Sequence, residues 1–382
     1  MTTPGFSPIR QILLKVHSRC NLACDHCYVY EGADQSWRSQ PMTMSPAVAA
    51  LAARRIAEHM RRHDLPWATV ILHGGEPLLA GRDRLGEIVA AVRSAVPPGR
   101  TVDVSVQTNG LLLDDAYLDF FARQGIRVGV SLDGGEQAND RHRRYAHGGG
   151  SYRAVAQALA LLSGRPDVYS GLLATVDLRN DPVEVYEELL RFRPPRIDFL
   201  LPHGNWTTPP PGRPAEQSQT PYGDWLVAVF DRWYGAGAPE TRVRLFDSLV
   251  SLLLGGPTGS ESVGLASIDL LTIETDGSIE QGDVLKTAGP GMAATGLHVA
   301  DHSFDDALAH PALAARQAGL AALADECRQC PLVRVCGGGH YAHRYRAGSG
   351  FRHPSVFCAD LARLIGHVRG RLYSDLRVGA AL

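Results

Sequence analysis

The sequence predicts an α/β fold: a partial (β/α)6 TIM-type barrel followed by a smaller, cysteine-bearing domain. Three observations predict it. Short segments rich in Val, Ile and Leu alternate six times with helix-length segments, the pattern of a parallel sheet covered by helices. Many of these strands run into a glycine or polar motif, and barrel enzymes place their chemistry on the loops after the strands. The cysteines fall in two distant groups, 20, 24 and 27, then 327, 330, 336 and 358. The expected domains are 1–235 for the partial barrel, 236–300 for linker helices and a β-hairpin, and 301–382 for the cysteine-bearing domain with its closing helix.

Taken in order, Ile9 to Val16 reads as a buried strand that feeds the first cysteine loop. Ser45 and Pro46 form an N-cap and N1 pair opening a helix to about His63. Ala68 to His73 is the second strand, ending at Gly74-Gly75-Glu76-Pro77, and Arg82 to Ala95 is the helix after it. Thr101 to Gln107 ends at Thr108-Asn109-Gly110, Asp114 starts a helix, and Arg127 to Leu132 ends at Asp133-Gly134. Ser151 to Leu162, Tyr169 to Val176, Pro182 to Phe192 and Arg196 to Leu201 continue as helix, strand, helix, strand. Right-handed crossovers curl such units into a barrel, so the strand-end motifs should meet on one face. Asn205 to Pro221, rich in proline, reads as a loop or lid. Helices are expected over Tyr222 to Tyr234 and Val243 to Leu254, and Asp276-Gly277 within Leu271 to Gln281 signals a type I′ hairpin. A helix from Cys358 to about Leu376 closes the chain.

A length of 382 residues accommodates one large catalytic domain and a smaller one. The net charge of −2 and the lack of a basic run argue against nucleic acid or anionic lipid as partner. No apolar stretch is long enough to span a bilayer, and no signal-type region is present. Two separated cysteine groups point to metal ligands in a reducing cytoplasm rather than to disulfides. Lys15 and Lys286 are the only lysines; every other basic side chain of the Lys/Arg type is arginine.

Cys20, Cys24 and Cys27 put three thiolates on one short loop. Three thiolates can hold three irons of a 4Fe–4S cluster and leave the fourth open to a small chelating molecule. A zinc knuckle is the rival, although zinc takes four ligands, commonly in CxxC pairs. The spacing resembles the signature of radical S-adenosylmethionine (SAM) enzymes, in which the residue before the third cysteine is usually aromatic. Here it is His26, which can pack on an adenine ring. Gly74 and Gly75 let the backbone approach a ligand closely, and Glu76 can accept hydrogen bonds from an ammonium group, which fits the amino group of SAM. Asn109, Ser131 and Asp133 end neighbouring strands and could reach a ribose hydroxyl or the methionyl group. Arg143 could pair with the cofactor carboxylate through its planar fork, or be a solvated surface arginine. Cys327, Cys330, Cys336 and Cys358 supply four soft ligands, for which tetrahedral zinc is the alternative. His340, His343 and His353 lie nearby as cluster neighbours, substrate contacts or surface residues, and His203 and Trp206 as substrate contacts or loop packing. Asp283 could serve as a general base or be only a turn acid.

Together these residues resemble the radical SAM enzymes that carry a SPASM extension, over nearly the whole chain. The matching pieces are CNLACDHC, HGGEP, QTNG, SLDGG through the arginine run, ETDGSIEQGD and the cysteines from 327 to 358. The resemblance implies a radical SAM barrel with a C-terminal SPASM-like auxiliary-cluster domain. It implies a 4Fe–4S cluster on Cys20, Cys24 and Cys27, SAM bound there, and a 5′-deoxyadenosyl radical that abstracts hydrogen from a peptide or protein. An electron donor such as flavodoxin or ferredoxin follows from the same likeness. The sequence departs from the SPASM pattern at Gly282 and His340, where cysteines are expected, and has no cysteine between Cys27 and Cys327. The remaining four match the distal auxiliary 4Fe–4S cluster, so the proximal one is expected to be lost. That loss puts the base role of Asp283 in doubt.

Several segments, among them KVHSRCNLACDHCYVYEGADQSW, DFLLPHGNW and CGGGHYAHRY, are similar to FxsB-type peptide maturases. That likeness implies a ribosomally made precursor peptide as partner and a C–C bond between an aromatic ring and the Cβ of a nearby residue, a cyclophane. Thioether crosslinking and formylglycine formation on a sulfatase are the related alternatives; a non-catalytic metal-binding peptide scaffold is the alternative of another class. A leader segment is expected to dock on the C-terminal domain or on another protein.

Overall fold

The computed structural model describes residues 6–213, 216 and 218–379, with the backbone alone for 377–379. Positions 214, 215 and 217 of the expected lid lie outside the described residues. The chain divides into two compact units. The first comprises Met1–Leu132, Asn139–Gly171 and Ser267–Ala318; the second comprises Asp133–Ala138, Leu172–Ala266 and Gly319–Leu382. These differ from the expected boundaries at 235 and 300. The hairpin read as a linker belongs to the first unit, because it pairs with the first strand.

In the first unit the order is β1 (Gln11–His17), α1 (Pro46–Arg62), β2 (Trp67–Gly74), α2 (Arg82–Ala95), β3 (Thr101–Thr108), α3 (Asp115–Gln124) and β4 (Ile126–Ser131). Then come α4 (Glu136–His142), which begins in the second unit, and α5 (Tyr152–Leu162). After an excursion into the second unit the chain returns with β8 (Leu270–Ile273), β9 (Ser278–Glu280) and β10 (Ala294–His298), which the sequence did not suggest. The short helices α9 (Phe304–Ala309) and α10 (Pro311–Gln317) end this unit. Strands β1 to β4 pair in parallel, and β1 is central: Leu13 faces Ile71 of β2 on one side and Thr272 of β8 on the other. Val70, Leu72, Val104, Val106, Val128 and Val130 are buried at alternate positions, as the two-residue period of a strand requires. The helix starts follow local chemistry. Ser45 Oγ accepts from Val48 N at 3.2 Å and Asp114 Oδ1 from Tyr117 N at 2.8 Å.

The hairpin turn corrects the type I′ expectation. Gly277 N donates to Glu274 O at 2.9 Å, and only Gly277 has positive φ; a type I′ turn needs it at both central positions. The third-residue glycine places the turn with the longer hairpin loops.

The second unit contains β5 (Tyr169–Thr175), whose first residues lie in the other unit, α6 (Pro182–Leu190), β6 (Arg196–Leu200), α7 (Pro221–Tyr234), β7 (Arg242–Val243) and α8 (Arg244–Leu253). It ends with α11 (Asp325–Gln329), α12 (Val333–Cys336) and α13 (Cys358–Gly379). Strands β5, β6 and β7 pair in parallel. Phe230 and Phe246 meet edge to face at 5.3 Å between α7 and α8, and Tyr222 meets Phe357 at 5.1 Å. No helix among the described residues is long and apolar enough to cross a membrane.

One contact at the end of β2 fixes the loop after β1. Gly75 N donates to His17 O and Glu76 N to Arg19 O, both at 2.9 Å, which joins the strand end to the start of the cysteine loop. The approach leaves no room for side chains. A Cβ on Gly74 would fall 2.1 Å from His17 O, and one on Gly75 would fall 1.8 Å from Tyr30 Oη and 2.5 Å from Arg19 O. Gly75→Ala is therefore expected to destabilise by about 1–3 kcal/mol, the usual cost of overpacking. It should also lower the iron retained on the cysteine loop after anaerobic reconstitution. Gly366→Ala in α13, where a Cβ meets nothing within 4 Å, should instead stabilise by about 0.5–1 kcal/mol. Denaturation midpoints and iron per chain check both.

Candidate functional site: a three-cysteine loop and a four-cysteine cavity

The loop Cys20–Cys27 leaves β1 and is folded by its own backbone: Leu22 N points at Cys20 Sγ at 3.4 Å, and Cys27 N donates to Cys24 O at 3.1 Å. All three cysteines are half-buried thiols with no disulfide. Asn109, just after β3, ties the loop down: its Nδ2 donates to Asn21 Oδ1 at 2.8 Å and lies 3.7 Å from Cys20 Sγ. Glu76 holds Asn109 in turn. Its fully buried carboxylate accepts from Asn109 N at 2.8 Å, Thr108 Oγ1 at 2.7 Å and Leu78 N at 3.0 Å. Burial pushes this carboxyl up to about 7 against those three donors. Glu76 and Asn109, read from the sequence as cofactor contacts, thus also form the frame of the loop.

The thiols suit a bound cation. Burial raises the Cys20 thiol to about 12, and the charges of Glu76, Cys24 and Cys27 push the same way, against the N–H of Leu22. Burial also raises Cys27, opposed by backbone N–H groups and by the charges of Lys15 and Arg143. Groups that discourage one another's ionisation become thiolates together only around a positive centre, so this donor set fits an iron–sulfur cluster.

Of the other predicted residues, the first unit brings several to the loop. His26 meets the ring of His142 edge-on at 5.2 Å, and His142 Nδ1 lies 2.6 Å from Asp25 Oδ1. Ala23 N donates to Arg144 O at 2.7 Å, so the arginine run and the loop are joined. Arg143 is half-buried and its charge is felt at Cys27. Ser131 ends β4 and its Oγ accepts from Gln107 Nε2 at 3.0 Å. Asp133 falls in the second unit, where its Oδ1 accepts from Thr175 N at 2.8 Å.

Asp283 is not placed as a general base would be. Its Oδ2 is 2.5 Å from Lys15 Nζ and accepts from Tyr28 Oη at 2.7 Å. Burial works to raise this carboxyl, but the Lys15 charge, together with His73 and the Tyr28 hydrogen bond, holds it well below the usual carboxylate range. A carboxylate so held is a weak proton acceptor. Sequence reasoning passed over Lys15, His73 and Tyr28. The signal was present: a lysine in the apolar strand QILLKVH, in a chain with only one other lysine.

In the second unit Cys327, Cys330, Cys336 and Cys358 line one cavity of about 100 Å³ together with Glu326 and Val333. Burial raises the Cys336 thiol to about 11, and Cys327 is raised by burial and by the Cys358 and Cys330 charges. Four soft donors around one small space fit a closed cluster or a tetrahedral metal. The glycine run after Cys336 is held by buried Arg344, which donates to the carbonyls of Gly337, Gly338 and Gly339 at 2.7, 3.0 and 2.6 Å. His340 caps the turn Tyr341–Arg344, its ring 5.0 Å from His343 and 6.3 Å from His203. His353 bonds Ser349 Oγ at 2.8 Å. Trp206 serves loop packing, with Nε1 donating to Pro354 O at 2.7 Å and its backbone N to Tyr345 O at 2.9 Å.

Comparisons with known proteins agree with this geometry. Residues 14–192 match the family model "Radical SAM superfamily". A serine-type anaerobic sulfatase-maturating enzyme of Bacteroides thetaiotaomicron is 26% identical over 67% of this chain and 64% of its own length. A cysteine-type anaerobic sulfatase-maturating enzyme of Clostridium novyi is 26% identical over 71% of this chain and 72% of its own. The fold is similar to that of native anSMEcpe with bound AdoMet, with TM-score 0.78 at 20% identity, covering 95% of this chain and 98% of that one. It is also similar to Streptococcus suis SuiB bound to the precursor peptide SuiA, with TM-score 0.62 at 12% identity, covering 93% and 76%. The superfamily's cofactors are a 4Fe–4S cluster and S-adenosylmethionine. The radical SAM match thus covers residues 14–192, the stretch that carries the three-cysteine loop at the end of the first of several parallel strands.

Proposed function

We propose that the chain is a radical SAM maturase of a ribosomally made peptide that joins an aromatic ring carbon to the Cβ of a nearby residue. The observation that carries the reading is the cysteine inventory. Three thiols lie on one loop and four around one cavity, with glycine and histidine at the two further SPASM positions 282 and 340. That inventory provides for one open cluster and one auxiliary cluster. A neighbour of similar fold, SuiB, is bound to a precursor peptide, which supports a peptide substrate.

When bound, the cluster and S-adenosylmethionine supply reductive cleavage of the cofactor and abstraction of a hydrogen atom from the substrate. Cys20, Cys24 and Cys27 would hold three irons, and His26 would lie against the adenine. Arg143 would meet the cofactor carboxylate with its guanidinium, the geometry in which arginine outperforms lysine. Gly74, Gly75, Glu76 and Asn109 keep the loop in place, and Ser131 and Asp133 remain candidates for hydroxyl contacts. Cys327, Cys330, Cys336 and Cys358 would hold the auxiliary cluster. Asp283, bonded to Lys15 and Tyr28, acts as an anchor rather than as the acceptor of the substrate proton. A donor of the flavodoxin or ferredoxin type would supply the electron.

The sulfatase-maturating relatives favour a second reading, formylglycine formation. Mass spectrometry of peptides co-expressed with the enzyme separates the two: a crosslink removes two hydrogens and adds no carbonyl, whereas formylglycine reacts with a hydrazine probe. A hydrazine-reactive product would replace the crosslinking reading with the second. Cys24→Ala should reduce dithionite-dependent cleavage of S-adenosylmethionine to background, and retained cleavage would refute both. Cys336→Ala should lower iron per chain by about half, as expected for loss of one of two four-iron clusters, while the first cluster keeps its spectrum.

A further inference from the structure

The start of the cysteine loop is tied to β2 and β3 through Gly75, Glu76 and Asn109, but none of these contacts reaches its far end. That end is Cys27, followed directly by Tyr28. Tyr28 donates its hydroxyl proton to Asp283 Oδ2 at 2.7 Å, and Lys15 Nζ lies 2.5 Å from the same oxygen. Lys15 Nζ is also 3.2 Å from His73 Nδ1, on the neighbouring strand. Burial and the Lys15 charge hold His73 down to about 4, so the ring is neutral and its Nδ1 can accept. Thr272 Oγ1 accepts from Asp283 N at 3.3 Å, which fixes the carboxylate's own backbone to β8. The Lys15 side chain is 4% exposed and that of Asp283 10%.

A second group of buried charges lies beside this one. Lys286 Nζ is 2.5 Å from Glu274 Oε1 and 3.2 Å from Glu280 Oε1. Both lysines of the chain are therefore buried in paired positions, while the other basic positions of this type are arginine. A compact ammonium can sit among Asp283 and His73 in a space that a planar guanidinium would not fill in the same way. A buried ion pair adds little net stability, so its use is better sought in what it orients.

We infer that Lys15 is a positioning residue for the cysteine loop: through the shared Asp283 carboxylate it fixes Tyr28, and with it the Cys27 end, and its ammonium sets the electrostatic potential there. The inference rests on the reading of that loop as a cluster site, and it adds a residue that the three-cysteine signature does not contain. Reduction adds negative charge to a cluster, so a buried cation nearby favours the reduced form.

The test uses the full chain with Lys15→Met, Asp283→Asn and Tyr28→Phe. In cluster-free protein, hydrogen exchange of the amides from Cys20 to Glu31 should quicken about ten-fold in Lys15→Met and in Tyr28→Phe, with exchange elsewhere in the first unit unchanged. In reconstituted protein, the first cluster's midpoint potential should be higher in Asp283→Asn, which keeps the ammonium, than in Lys15→Met, which loses it. Tyr28→Phe should leave that potential at the wild-type value. If a single charge variant does not fold, Lys15→Met combined with Asp283→Asn leaves no unpaired charge and serves the exchange measurement. Unchanged loop exchange in folded variants, or equal potentials in the two charge variants, would overturn the inference. Wild-type protein that assembles no cluster on the loop would defeat the proposed function instead, and the exchange measurement would still decide whether Lys15 fixes the Cys27 end of the loop.

Discussion

The first unit depends on a backbone contact that only glycine permits. The end of β2 runs so close to the start of the cysteine loop that Gly74 and Gly75 touch the carbonyls of His17 and Arg19 directly. Two N–H groups of that segment then satisfy two loop carbonyls that would otherwise need water. The start of the thiol-bearing loop is therefore bonded directly to the end of β2. Glu76 follows because it is the next residue. Its carboxylate gathers three donors from the ends of β2 and β3, and Asn109, fixed by Glu76, reaches back to Asn21. Strand end, acid, amide and loop form one closed circuit.

A buried circuit of this kind asks for charge balance. Among the described residues Glu76 has no salt-bridge partner and is held by three hydrogen bonds, and burial moves its carboxyl up to about 7. Asp283 is balanced differently. Lys15 shares its Oδ2 with Tyr28, and the pair of charges is nearly inaccessible to water. The two acids end up with opposite displacements although both are buried: the one with a cation beside it stays ionised, and the one without is pushed toward the neutral form.

The parts legible in the sequence are those set by local chemistry. Ser45 and Asp114 cap helices because a short oxygen-bearing side chain reaches an N–H two or three residues on, and the strands show their two-residue period directly. The two cysteine groups are also visible in the sequence, whereas the cavity that the second group lines is seen only in the fold. What was not legible depends on partners far along the chain. The pairing of β8 with β1 joins residues some 260 positions apart, as Gln11 with Leu270, and nothing near either strand announces it. Gly74 and Gly75 were correctly marked as sites of close approach, but a sequence does not say what approaches. Here it is the chain's own loop.

Asp283 carries the same lesson into the chemistry. An acid after a hairpin, beside a glycine where related sequences are expected to place a cysteine, invites assignment as a base. Whether it can act so depends on which charge lies opposite, and that charge is supplied by Lys15 from a strand at the other end of the chain. Proton abstraction by Asp283 would require breaking a 2.5 Å ion pair and leaving an ammonium buried without its counter-ion, a change that costs several kcal/mol. Holding Tyr28 requires no such change. The same two contacts, from Lys15 and Tyr28, that make Asp283 a poor acceptor make it a firm anchor. The loop that must present three sulfurs in fixed positions is where such an anchor has the most effect.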